Sequence, residues 1–210
     1  MMKISLFDTG KRYNREWIFR HSSFEFTAGK AYAITGNNGS GKSTLLQVIG
    51  NAMLPSEGKI EYTLGTETIP AEKIYQHLSI AAPYLELPEE MTLTEFLTFH
   101  ASFKPLRSDI SQKEIILMMG LEASRNKQLR YFSSGMKQRV KLAQAIFSNT
   151  PLLLLDEPCS NLDEAGMSLY HSLITNYCKE KLIIVSSNEK QEYAFCEQEI
   201  RMASLKNNPG

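Results

Sequence analysis

Residues 36–44 read Gly36-Asn37-Asn38-Gly39-Ser40-Gly41-Lys42-Ser43-Thr44, and no other stretch of the chain constrains its fold as tightly. Glycines at 36, 39 and 41 let the backbone curl until successive N–H groups face inward, which makes a nest for an anion. Lys42 can reach the outer phosphates of a nucleoside triphosphate, and the Ser43 hydroxyl is of the kind that ligates Mg²⁺. Just before the loop, Ala31-Tyr32-Ala33-Ile34-Thr35 is an apolar run of strand length. Just after it, Thr44-Leu45-Leu46-Gln47-Val48-Ile49 can start a helix whose positive N-terminal end adds to phosphate binding. Strand, glycine-rich loop and helix in that order predict a nucleotide site lined by Gly36 to Thr44.

The 210 residues suffice for one well-buried domain with a subdomain, and are too few for two such units. Lys+Arg and Asp+Glu both number 23, so no basic footprint points to nucleic acid, and no nucleic-acid partner is expected. The longest aliphatic runs, Leu152 to Leu155 and Leu182 to Val185, are strand-sized, whereas a membrane span needs about 20 apolar residues. Met1-Met2-Lys3-Ile4-Ser5 shows no apolar core followed by a cleavage site, so no secretion signal is expected. Cys159, Cys178 and Cys196 lack metal-ligand spacing and read as reduced thiols of a cytosolic protein.

Along the chain, Lys3 to Asp8 and Ser23 to Thr27 have strand character, with Phe24 and Phe26 alternating with polar neighbours. The helix behind the glycine-rich loop is expected to end near Gly50. Pro55-Ser56-Glu57-Gly58 reads as a turn before the strand Lys59 to Tyr62. From about 84 to 130 the pattern becomes helical: Leu93, Phe96, Leu97 and Ala101 share a face, Ser111 and Glu114 have capping-box spacing, and Gly120 is a natural stop. This region reads as a helical insert. The later aliphatic runs do not alternate, as suits buried strands of a parallel sheet, and the whole is expected to be α/β. The tail from Glu199 to Gly210 is short and polar and is expected to fray.

Pro151 to Pro158 supplies the second half of a site: four leucines, then Asp156 and Glu157. Open α/β sheets place ligands at the C-terminal ends of their strands. Asp156 is suited to hold Mg²⁺, and Glu157 to orient and polarise an attacking water. Upstream, Phe132-Ser133-Ser134-Gly135-Met136-Lys137-Gln138-Arg139 precedes a helical stretch, Val140 to Ile146. A hydroxyl and backbone N–H groups at a helix start form a further anion site.

This segment resembles the signature motif of ATP-binding-cassette (ABC) ATPases, written L-S-G-G-Q followed by Q-R or K-Q-R. Ser133 and Gly135 match, while Phe132, Ser134 and Met136 depart from the pattern. Ser160-Asn161-Leu162-Asp163 resembles the family's D-loop, and Tyr13 the aromatic that stacks on adenine, with Trp17 the second candidate. The resemblance spans nearly the whole chain. It implies a single ABC ATPase domain, 1–210, with a P-loop NTPase core, an N-terminal antiparallel β region and a helical subdomain at about 84–130.

The same resemblance implies ATP and Mg²⁺ as ligands, and a dimer of two cassettes, identical or different. In such a dimer Ser133, Ser134 and Gly135 cover the γ-phosphate held by the partner subunit. It further implies a peripheral position on the cytoplasmic face of a membrane, docked on a separate polytopic permease through a cleft beside the insert, where Tyr84, Leu85 and Leu87 lie. Two positions break the family pattern. The glutamine expected after the strand ending near Ile80 is absent, with Pro83 or Tyr84 in its place and Glu86 nearby. The histidine expected after the last core strand is Asn188, which can donate a hydrogen bond but cannot take up a proton. His21, His77, His100 and His171 lie elsewhere. The resemblance therefore implies an ATPase that turns over slowly and powers transport. A weakly hydrolysing regulatory cassette and a soluble non-transport ABC ATPase are the alternatives.

Overall fold

The computed structural model describes residues 1–206. In chain order its first elements are β1 (Met2–Tyr13), β2 (Glu16–Thr27), β3 (Ala31–Thr35), α1 (Lys42–Ile49), β4 (Glu57–Leu64), β5 (Glu67–Ile69) and β6 (Leu78–Ala81). There follow α2 (Leu93–Phe103), α3 (Gln112–Met118), α4 (Ser134–Phe147), β7 (Leu152–Asp156), α5 (Glu164–Tyr177), β8 (Leu182–Ser186), β9 (Gln198–Arg201) and α6 (Met202–Lys206). They form two compact units. The first comprises Met1–Leu78, Thr150–Glu157 and the chain from Glu180 onward; the second comprises Ser79–Asn149 and Pro158–Lys179.

In the first unit, β2, β1, β4 and β5 make an antiparallel sheet in that order. Met2, Ile4 and Leu6 alternate inward along β1, as a half-buried strand requires. β1 and β2 run far past the expected Lys3–Asp8 and Ser23–Thr27, to the pair Tyr13↔Glu16. Register shifts explain the shortfall. Asp8 and His21 sit in the left-handed backbone region at φ 47 and 50, so bulges break the alternation on which a sequence reading relies. The expected turn Pro55–Gly58 is cut short for the same reason. Gly58 already lies in β4 at φ 73, where a Cβ would run into the carbonyl oxygens of Phe7 and Asp8.

β7, β8, β3 and β9 pair in that order, all parallel. Every residue of β3, β7 and β8 is buried, the unalternating burial expected of a parallel core. The tail departs from expectation. Glu199 falls in β9, which pairs with β3 from Tyr32↔Gln198 to Thr35↔Arg201. Beyond it, Met202 and Leu205 of α6 are buried. Three buried apolar residues in a polar stretch, Ile200, Met202 and Leu205, make too short a pattern to read as structure. The remainder of the expected frayed tail, 207–210, lies outside the described residues.

The second unit is mainly helical. Thr92–Glu95 and Ser111–Glu114 are complete capping boxes at the starts of α2 and α3, and α3 stops just before Gly120. Leu93, Phe96 and Leu97 are buried and Ala101 half-buried. α4 begins at Ser134, a turn and a half earlier than the expected Val140, because Ser133 caps it by accepting a bond from the Met136 N–H. α4 packs on α5 and α2. That packing makes this unit wider than the 84–130 insert.

Candidate functional site

Three neighbouring strands of the first unit assemble the centre. β3 pairs with β8 and β8 with β7, and the register sets Ile34, Ser186 and Asp156 in one row. The chain leaves β3 into Gly36 and leaves β7 into Glu157. The glycine-rich loop and the acid pair therefore emerge from one C-terminal edge, where α/β sheets bind ligands.

Within the loop, Lys42 is buried and its Nζ donates to the Gly36 and Asn37 carbonyls at 2.9 and 3.3 Å. The Ser40 N–H closes the turn on Asn37 O at 3.0 Å. Gly41, at φ 101, precedes α1, and a Cβ there would run into Ile18 Cγ2 of β2. The antiparallel sheet thus supports the loop from behind, a contact the sequence did not suggest. Asn37, Asn38 and Gly39 are exposed, and Ser43 and Thr44 half-buried.

Asp156 is only 2% exposed, and its Oδ1 has no hydrogen-bond partner among the described residues. The same holds for Ser40 Oγ and Ser186 Oγ. A buried carboxylate oxygen left without a donor is costly unless a cation or held water answers it. The Asp156 carboxylate with the Ser43 hydroxyl is a hard oxygen donor set, which fits Mg²⁺. Glu157 adopts φ 42, a left-handed conformation that costs about 1–3 kcal/mol for a side-chain-bearing residue. Its N–H donates to Ser186 O at 2.9 Å, which holds the strained residue in place. Asn188 is exposed, two residues past β8, in a segment fastened to the end of β3 by the Ser187 N–H donating to Ile34 O at 3.1 Å.

The two aromatic candidates differ. Tyr13 is 46% exposed; its hydroxyl donates to Met53 Sδ at 3.0 Å, and Lys11 Nζ lies 5.7 Å from its ring. The Trp17 ring already stacks with two guanidiniums, Arg12 at 5.5 Å and Arg20 at 4.5 Å. Tyr13 is the freer ring of the two.

Ser133, Ser134 and Gly135 belong to the second unit. There they share a cleft of about 520 Å³ with Asn161, Leu162 and Asp163, so the two segments fold side by side. Sequence reading passed over the bonds that hold them. Buried Gln138 donates through Nε2 to Pro158 O at 2.7 Å, and Arg139 pairs with Asp163 at 3.3 Å. Lys141 donates to the carbonyls of Ala82 and Pro83 at 3.3 and 2.9 Å, and burial pushes its pKa down. Only the folded loop shows what the lysine reaches. Around Pro83, Tyr84 and Glu86 are exposed while Leu87 is buried. Leu85, Leu87, Lys137 and Lys141 line a cleft of about 710 Å³.

The family model for ABC transporters matches residues 19–160. The chain belongs to the ABC transporter family, as an ATP-binding subunit. A Bacillus subtilis (strain 168) relative, the uncharacterized ABC transporter ATP-binding protein YybJ, is 30% identical over 95% of this chain and 92% of its own length. The cytochrome c biogenesis ATP-binding export protein CcmA of Brucella abortus (strain 2308) is 31% identical over 82% of this chain and 78% of its own. Among solved structures, an ATP-binding protein of a Pyrococcus furiosus ABC transporter superimposes with TM-score 0.81 at 22% identity, covering 97% of this chain and 98% of that one. The dimeric bacterial ABC transporter cassette MJ0796 gives 0.79 at 23%, covering 95% and 94%. The fold is that of the ABC ATPases, and this ABC subunit binds and hydrolyses ATP in the service of transport. Among the described residues no helix is long and apolar enough to cross a membrane.

Proposed function

We propose that this subunit drives a separate polytopic membrane permease by closing and opening as an ATP-sandwich dimer, with an identical or a different cassette. It would sit on the cytoplasmic face of the membrane, docked through the cleft beside Leu85 and Lys141, and engage no nucleic acid. We also assign the chain, 1–210, to one ABC ATPase domain with 84–130 as its helical subdomain. The observation that carries the reading is the row Ile34–Ser186–Asp156, which delivers the phosphate loop and the acid pair to one sheet edge.

In this reading the backbone of Gly36 to Thr44 cradles the phosphates. The Lys42 ammonium turns from the carbonyls of Gly36 and Asn37 to the outer phosphates, a charge-assisted contact in a buried setting. Ser43 and Asp156 would hold Mg²⁺, which supplies charge neutralisation at the outer phosphates when bound. Glu157, fixed by its strained backbone, orients the attacking water and accepts its proton. Asn188 donates to the γ-phosphate, and Tyr13 stacks on the adenine. Ser133, Ser134 and Gly135 complete the partner's site.

Turnover is expected to be slow, because Pro83 or Tyr84 and Asn188, all exposed, stand where the family pattern carries a glutamine and a histidine. Glu157→Gln tests the scheme: phosphate release should fall at least about a hundredfold, while binding of a fluorescent ATP analogue stays within twofold. Equal turnover in the variant and the wild type would remove Glu157 from its role.

A further inference from the structure

Ser186 is the last residue of β8 and is fully buried, yet its hydroxyl has no partner among the described residues. Its register partner on the adjacent parallel strand is Asp156, whose Oδ1 is likewise buried and unpartnered. Residues paired across a sheet project from the same face, and neighbouring strands run about 4.8 Å apart. Two unanswered polar groups thus stand side by side at the mouth of the phosphate loop. A third, Ser40 Oγ, lies in the loop itself.

Chance burial explains this poorly. A serine at the end of an all-apolar strand, Leu182-Ile183-Ile184-Val185, loses water from its hydroxyl with nothing in return. Buried hydroxyls without protein partners are ordinarily answered by held water, which needs two to four polar contacts. Asp156 Oδ1 and Ser186 Oγ supply two.

We infer that Ser186 is a positioning residue for the metal site, its hydroxyl sharing a held water with Asp156 and so fixing how that carboxylate presents itself to Mg²⁺. The inference rests on the reading of Asp156 as a metal ligand. Groups that orient a metal ligand from behind typically carry a ten- to hundredfold effect on metal affinity when removed. Ser186 is also placed to couple metal and water. Its own carbonyl accepts the Glu157 N–H at 2.9 Å, so one residue holds the metal ligand through its side chain and the water-orienting residue through its backbone.

The test titrates Mg²⁺ into the protein with a non-hydrolysable fluorescent ATP analogue, and Mn²⁺ by electron paramagnetic resonance. Ser186→Ala should weaken metal affinity about tenfold and leave metal-free analogue binding unchanged; Ser186→Thr, which keeps the hydroxyl, should restore it. An unchanged metal titration in Ser186→Ala overturns the inference. So does a variant that fails to fold, since a hydroxyl bonded only to water should be dispensable for folding. Asp156→Asn is run alongside. If it too leaves the metal titration unmoved, the assignment of Asp156 fails, and the inference falls with it for that separate reason.

Discussion

The two units of this ABC subunit treat their buried polar groups in opposite ways. At the sheet edge of the first unit, Asp156 Oδ1, Ser186 Oγ and Ser40 Oγ are buried and unanswered within the chain. In the second unit the buried groups are answered internally: Gln138 Nε2 donates to Pro158 O, Ser79 Oγ to Ala145 O at 2.7 Å and Ser148 Oγ to Gln144 O at 2.5 Å. Unmet hydrogen-bonding capacity marks where a ligand is to be received. Met capacity marks where a shape is to be held. The helical unit leaves its buried polar groups paired, and the sheet edge beside the glycine-rich loop leaves three of them unpaired.

The contrast can be broken most forcefully at Lys42. Lys42→Ala removes the ammonium that the phosphate edge holds ready, and turnover should fall about a hundred- to a thousandfold, with weakened analogue binding in the same fluorescence titration. A variant that hydrolyses ATP normally would mean that this edge is not the working one.

A stability comparison sharpens the point at smaller scale. Gln138→Met keeps the side-chain volume but strands the buried Pro158 carbonyl, and should lower unfolding free energy by about 1–3 kcal/mol in urea. Ser186→Ala removes a buried hydroxyl with no protein partner, strands no protein group, and should cost less than Gln138→Met. Reversed values would invert the division between the units.

Acid should find the helical unit first. Burial pushes His100 down to about 4, with Lys104 adding to the shift, and His100 Nε2 lies 2.9 Å from Ser148 Oγ. A folded-state pKa below the unfolded value means that the unfolded chain takes up the proton first, so stability falls as pH drops from about 6.5 to 4 and is whole above that window. The loss should be about 1 kcal/mol, because His100 keeps part of its hydration. His100→Gln should flatten thermal stability across this range; an undiminished acid slope would place the titrating group elsewhere.

Legibility in the sequence followed the locality of the signal. The phosphate loop, its strand and helix, the Ser111–Glu114 cap and the paired aliphatic strands all lie within a few residues of their own causes, and the structure places them where the pattern does. β1, β2 and β4 run longer than their local patterns suggest, because the irregularity at Asp8, His21 and Gly58 involves three strands at once. The Thr92–Glu95 cap was open to the same spacing rule that found Ser111–Glu114. β9 and α6 carry three buried apolar residues between them, Ile200, Met202 and Leu205, too few to register as a period.

By itself, the sequence determined which chemical groups this chain carries: a glycine-rich loop, a lysine, a hydroxyl and two carboxylates, each readable because backbone curl, charge and hydroxyl chemistry reside in the residues named. Tertiary structure alone decided how those pieces meet. The register that aligns Ile34, Ser186 and Asp156 comes from parallel pairing across more than a hundred residues of chain, and Ile18 reaches Gly41 only once two sheets have formed. Which polar groups are buried, and which of those stay unanswered, depends on all the neighbours a fold assembles, and no window of sequence contains them.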